Sequence, residues 1–153
     1  MRLDFYFVVM LTIMFIVNYY ILMPILINSR DNITVNLNKF YSSLFMVFVM
    51  GVIEIGIILT QSGFSSFEFI SFVIFVFLSI IMGIIIREQV GINEDQFMLS
   101  MIEHHAMALQ MVEKTKDTYK DIRVVKLGDD ITSSQKEEIK LMKKLLREHK
   151  ELS

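Results

Sequence analysis

The sequence predicts an all-α protein: three transmembrane helices followed by an antiparallel helical hairpin that oligomerisation completes. Three observations carry that expectation. Apolar runs long enough to cross a bilayer occur three times before residue 87, charge is sparse in that half and dense after it, and the C-terminal part places its apolar residues at helical spacing. With 54% hydrophobic residues and 13 Phe, the 153-residue chain does not have the composition of a soluble domain. Up to residue 86 the only charges are Arg2, Asp4, Arg30, Asp31, Lys39, Glu54 and Glu68. The net charge of −2 therefore averages a membrane half (1–90) and a polar half (93–150), and no basic excess exists to attract nucleic acid. The absence of cysteine excludes disulfides, thiolate metal sites and thiol nucleophiles.

A hydrocarbon core about 30 Å thick needs roughly 20 apolar residues in a helix. The first run, residues 5–27, meets that length. Its one amide is Asn18, and Pro24 lies near the end, where a lost backbone hydrogen bond matters least. The run is too long for the apolar part of a secretory signal and no small-x-small cleavage site follows it, so a retained span is expected. The second run, 41–60, is broken only by Glu54; the third, 64–86, has Glu68 in its first turns. Gln61, Ser62 and Gly63 alone separate these two, which predicts a tight antiparallel hairpin. An ionisable group inside a span is a candidate for function. Glu54 lies on one face with Met46 and Met50, and a neutral carboxyl bonded to Asn18 or a serine is as good a reading as an ion path.

Beyond Arg87, Gly91 can end the third helix, and Asn93 with Gln96 three residues on has the form of a capping box. Glu94 and Asp95 suit the positive start of a helix expected over 94–117. A turn at 118–120 then leads to a helix over about 121–150, its inner stripe Ile131, Gln135, Glu138, Met142, Leu145 and His149. Two helices make a thin core, so a second copy or the membrane part should cover the apolar stripe.

Chemistry concentrates in the stretch FMLSMIEHHAMALQMV, 97–112. Residues three or four apart share a helix face, so His104 aligns with Met101, Met107 and Met111, and His105 with Met98, Met101, Ile102 and Leu109. Thioether sulfur is soft and suits Cu(I), and imidazole suits copper in either state. Gln135, Glu138, Met142 and His149 are the candidates to complete a site across the hairpin. The competing reading is core packing, because methionine fills gaps in apolar faces. Two adjacent imidazoles on the inner side of an apolar stripe are the feature packing explains less well. No Glu-x-x-His pair, zinc-protease motif, phosphate loop or serine triad is present, so no enzyme is expected.

The run GINEDQFMLSMIEHHAMALQMVEK, with ITSSQKEEIKLMKKLL after it, resembles the domain of unknown function 305 family over about residues 93–147. The matching positions are Asp95, Phe97, Met101, Ile102, His104, His105, Gln135, Glu138, Ile139 and Met142, and the three preceding spans resemble a membrane-anchored subgroup. The resemblance implies a ferritin-like helical fold and, for some members, copper binding or tolerance outside the cytoplasm. It implies His104, His105, Met101 and Met142 as ligands, with Gln135 and Glu138 packing or hydrogen-bonding behind them. Glu103 departs from the expected residue before the His pair, and Glu54 sits in a span where anchored relatives carry more methionine.

Three spans put the termini on opposite sides of the bilayer. Arg30, Lys39 and Arg87 on the side of the tail favour a cytoplasmic tail by charge alone. Copper handling favours the outside, and an extracytoplasmic C-terminal domain of a multi-pass membrane protein is the expectation carried forward. The function expected is a membrane-anchored copper-binding protein; the alternative is a non-catalytic assembly module, homo-oligomeric, with the histidines in a packed core.

Overall fold

The computed structural model describes residues 5–62 and 65–152. All regular structure among them is helical: α1 Phe5–Val17, continued by a π-helical turn at Asn18–Leu22 and by the short α2 Met23–Ile25; a 3-10 turn at Arg30–Asn32; α3 Leu37–Ser62; α4 Ser66–Arg87; α5 Glu94–Thr115; a 3-10 turn at Lys116–Thr118; and α6 Ile122–Leu152. Gly63 and Phe64, in the expected tight connection and at the start of the third run, lie outside the described residues. The chain divides into two compact units. α1 with its π-helical turn, α3 and α4 up to Gly91 make one; Met23–Leu37 and the chain from Ile92 onward make the other.

Phe5–Ile25, Leu37–Gln61 and Ser66–Arg87, which supply nearly all of the first unit, are long and apolar enough to cross a membrane. Helix is the form that satisfies every backbone group of such a run internally. The first of them is not uniform. Pro24 cannot donate to the carbonyl one turn before it, and the turn preceding it widens to π-helix. There Asn18 is buried and its Nδ2 donates to Ser43 Oγ at 3.1 Å, while Ser43 Oγ donates to the Lys39 carbonyl. Asn18 is thus committed to Ser43, not to Glu54, which stands half-buried on α3. Glu68, in the first turn of α4, is buried. α3 and α4 approach through small residues that receive rings. Phe75 lies against Gly51 so closely that a Cβ there has no room, and Phe7 and Phe48 pack edge-on to Phe75 at 5.7 and 5.9 Å.

The second unit is the antiparallel hairpin of α5 and α6 with a strap laid on it. Its core consists of Met98, Ile102, Ala106 and Leu109 from α5, Ile139 and Met142 from α6, and Ile27 from the strap. Ile102 is 1% exposed and Ala106 fully enclosed. α6 runs unbroken through Gly128, which is buried because Tyr119 and Val112 close in where a side chain would stand.

The strap supplies the third piece that a two-helix core lacks. Its polar residues bond to both helices: Thr34 Oγ1 donates to the Leu99 carbonyl at 2.9 Å, and Asn28 N–H to that of Ala106 at 3.4 Å. Lys143 Nζ on α6 donates to the Asp31 carbonyl and to Asn32 Oδ1 at 2.9 and 2.6 Å. A boundary at residue 90 assigns this segment to the membrane half; its contacts place it with the hairpin.

Candidate metal centre

The site is built on α5, whose start is set by Asn93. Its side chain accepts from Gln96 N–H at 2.9 Å, the first half of the expected capping box. The second half is not made, because Gln96 Oε1 accepts instead from Leu37 N–H at 2.7 Å. Glu94 and Asp95 occupy the first turn as expected.

From this start the helix carries His104 and His105 past α6 about 100° apart, since 3.6 residues make a turn. The two side chains meet different surroundings. His105 faces the hairpin interior and is 8% exposed; His104 points to solvent. Their ring centroids are 6.1 Å apart with planes tilted by 56°. The expectation of two desolvated imidazoles is corrected to one, because the packing of α5 leaves the His104 side of the helix uncovered.

His105 Nδ1 lies 3.3 Å from Glu138 Oε2 on α6. That pair does not meet hydrogen-bond geometry, and among the described residues Nδ1 is enclosed without a hydrogen-bond partner. Gln135 Oε1, one turn before Glu138, is enclosed in the same way. Glu138 is oriented by its own helix: Ser134 Oγ donates to Oε1 at 2.8 Å and leaves Oε2 toward His105.

The methionines separate. Met142 is in the core, Met101 and Met107 pack against it, and Met111 is 69% exposed. Met101 stands one turn before His105 and Met142 one turn after Glu138, so both flank the His105–Glu138 contact along their helices. Met98, weighed as packing or as a ligand beside His105, is buried in the core. His149 is committed elsewhere: its Nδ1 is 2.7 Å from Asp95 Oδ1, tying the end of α6 to the start of α5. Glu54 belongs to the other unit.

Glu103 is the residue whose role sequence reasoning missed. It is buried, and its carboxylate accepts from Thr34 N–H at 2.6 Å and from Asn36 Nδ2 at 3.0 Å, holding the strap. The available signal was an acid on the same helix face as Leu99 and Ala106.

The donors fit a metal ion in one respect and not in another. An enclosed, unbonded imidazole nitrogen beside a carboxylate is a ligand arrangement, since burial without a partner otherwise costs free energy. Among the described residues, however, no three His, Asp or Glu side chains converge, so any ion here also draws on amide, thioether or water donors.

Comparison with known proteins agrees with this division of the chain. The profile of a family described as Domain of unknown function (DUF305) matches residues 94–153, which hold α5 and α6. An uncharacterised protein of Acanthamoeba polyphaga mimivirus is 34% identical over 136 residues, covering 89% of this chain and 88% of that protein. No solved structure matches.

Proposed function

The chain belongs to the DUF305 family, and from that premise we propose that it is a copper-binding helical hairpin carried on three membrane spans. The observation that carries the reading is the enclosed Nδ1 of His105, without a hydrogen-bond partner among the described residues, in a hairpin core otherwise made of methionine and aliphatic side chains. Imidazole with thioether and no thiolate selects Cu(I) over structural zinc. His105 is the anchoring ligand in this reading, with Met101 and Met142 as the thioether donors nearest to it along the two helices. His104 and Met111 lie on the outer side, where they serve capture, not closure, while Met107 packs against the core. A bound ion would hold α5 to α6 and stabilise the folded hairpin by mass action. No catalysis is ascribed to the site.

The three apolar helices support a multi-pass anchor in the lipid bilayer. The hairpin is placed outside the cytoplasm, where exchange of copper with the surroundings needs no transport step. Protease treatment of spheroplasts tests that placement, and protection of the hairpin while outer loops are cut rejects it.

Copper binding is tested on the full chain in detergent micelles with Ag(I) as the redox-stable probe for Cu(I). His105→Ala should weaken Ag(I) binding by about tenfold or more, a difference of about 1.4 kcal/mol, while His104→Ala keeps most of the affinity. Parental affinity in His105→Ala rejects the site.

A second reading is favoured by one observation. Phe97, 54% exposed, and Met111 leave apolar surface on α5 beside His104, and this supports association of copies. The mass of the metal-free protein in micelles tests it: a monomer at all concentrations rejects association without metal.

A further inference from the structure

We propose that Glu138 and Gln135 are themselves ligands, so that the hairpin also holds a borderline divalent cation, Cu(II) or Zn(II), through imidazole nitrogen, carboxylate oxygen and amide oxygen. The inference rests on the reading of His105 as a metal ligand and extends it to a second oxidation state and a different donor set.

Two contacts in the same unit make the comparison. His149 Nδ1 stands 2.7 Å from Asp95 Oδ1, the separation of a charge-assisted hydrogen bond. His105 Nδ1 stands 3.3 Å from Glu138 Oε2 and off the hydrogen-bond direction. Two donors each about 2.0–2.1 Å from a tetrahedral ion are separated by about 3.3 Å. The His105–Glu138 spacing matches that of two ligands sharing an ion, and is wider than the direct pair that His149 and Asp95 form.

The remaining features agree. His105 is nine-tenths buried, so its unbonded nitrogen is aimed into the hairpin and not at water. Ser134 occupies Glu138 Oε1 and leaves a single oxygen for coordination, the kind of support from behind that fixes a ligating carboxylate. Gln135, at three residues before Glu138, shares its face of α6 and has an enclosed oxygen with no hydrogen-bond partner among the described residues. The hairpin offers the enclosed Gln135 oxygen no hydrogen-bond partner among the described residues; a hard or borderline cation shared with Glu138 Oε2 gives it one. The Glu138 side chain is half exposed, which gives a hydrated ion a route from solvent.

The test uses the full chain in detergent micelles, titrated in parallel with Zn(II), Cu(II) and Ag(I). The parent should bind Zn(II), and both Glu138→Gln and Gln135→Leu should lower that affinity by at least about tenfold, with Ag(I) affinity unchanged within about twofold. Helicity by circular dichroism checks each variant. The electron paramagnetic resonance spectrum of the Cu(II)-loaded parent is a second readout that needs no variant: one nitrogen among oxygen donors is expected, and several nitrogens overturn the assignment. Zn(II) affinity indifferent to both substitutions also overturns it. Ag(I) bound through His105 with no divalent binding rejects this inference and keeps the copper(I) site. Divalent binding that needs Glu138 and Gln135 without Ag(I) binding keeps the inference and removes the thioether reading.

Discussion

The backbone N–H of Thr34 donates to Glu103 Oε1 at 2.6 Å across 69 positions of sequence. With Asn36 on the other carboxylate oxygen, this contact turns a polar connection into part of the hairpin's fold. Glu103→Ala leaves a half-buried N–H and a buried amide without their charged acceptor, a cost of about 2–3 kcal/mol. Denaturant melting of the second unit should show that loss, and hydrogen exchange should show the Thr34 amide opening first. A melting midpoint unchanged from the parent contradicts the strap's role.

Packing in the first unit is tested at Gly51. A methyl group there meets the Phe75 ring, itself held by Phe7 and Phe48, so the ring cannot simply swing aside. Gly51→Ala should destabilise the α3–α4 pair by about 1–3 kcal/mol in spite of alanine's better helix propensity. Phe75→Leu in the same chain should recover part of that. Thermal unfolding in detergent reads both, and a Gly51→Ala protein more stable than its parent refutes the close approach.

The start of α6 is pH-sensitive in a known direction. The Arg123 guanidinium, and after it the Arg123 N–H, hold the Asp121 carboxyl below its ordinary value of 3.8, and the same bond raises Arg123. A carboxyl whose folded pKa is depressed stabilises the fold above its unfolded pKa, and that contribution is lost as pH falls through the folded value. The first turn of α6 should therefore be intact from neutral pH down to the ordinary aspartate range and fray below it. Amide exchange at Arg123 against pH measures this, and Asp121→Asn should remove most of the dependence.

His104 and His105 should differ in reactivity. Diethyl pyrocarbonate should acylate exposed His104 rapidly, His149 more slowly, and His105 last, since its side chain is only 10% exposed while that of His149 is 37% exposed. Mass spectrometry of a time course resolves the three. Equal rates at His104 and His105 would mean that α5 presents a different face to α6.

Much of this architecture is legible in sequence because it is local. The three apolar runs, the helix start at Asn93 and the turn before α6 each depend on residues within one or two turns, and all stand where the pattern puts them. The inner stripe of α6 is right at Met142, Gln135 and Leu145 for the same reason. Errors arise where a side chain has two possible partners. Gln96 closes no capping box because a donor from the strap competes for it, and Asn18 pairs with Ser43 in place of Glu54.

By itself the sequence determined which segments are helical, which of them are apolar enough for a bilayer, and that histidine, methionine, glutamine and glutamate would gather on one hairpin. Tertiary structure alone decided which histidine turns inward, that Glu138 Oε2 and not a second imidazole faces it, and that residues 23–37 complete the core. The physical reason is the same in each case. Helical periodicity gives the angle between two side chains, but the absolute rotation of a helix is set by what packs against it, and partners such as Thr34 and Glu103 are brought together by the folded chain, not by any pattern along it.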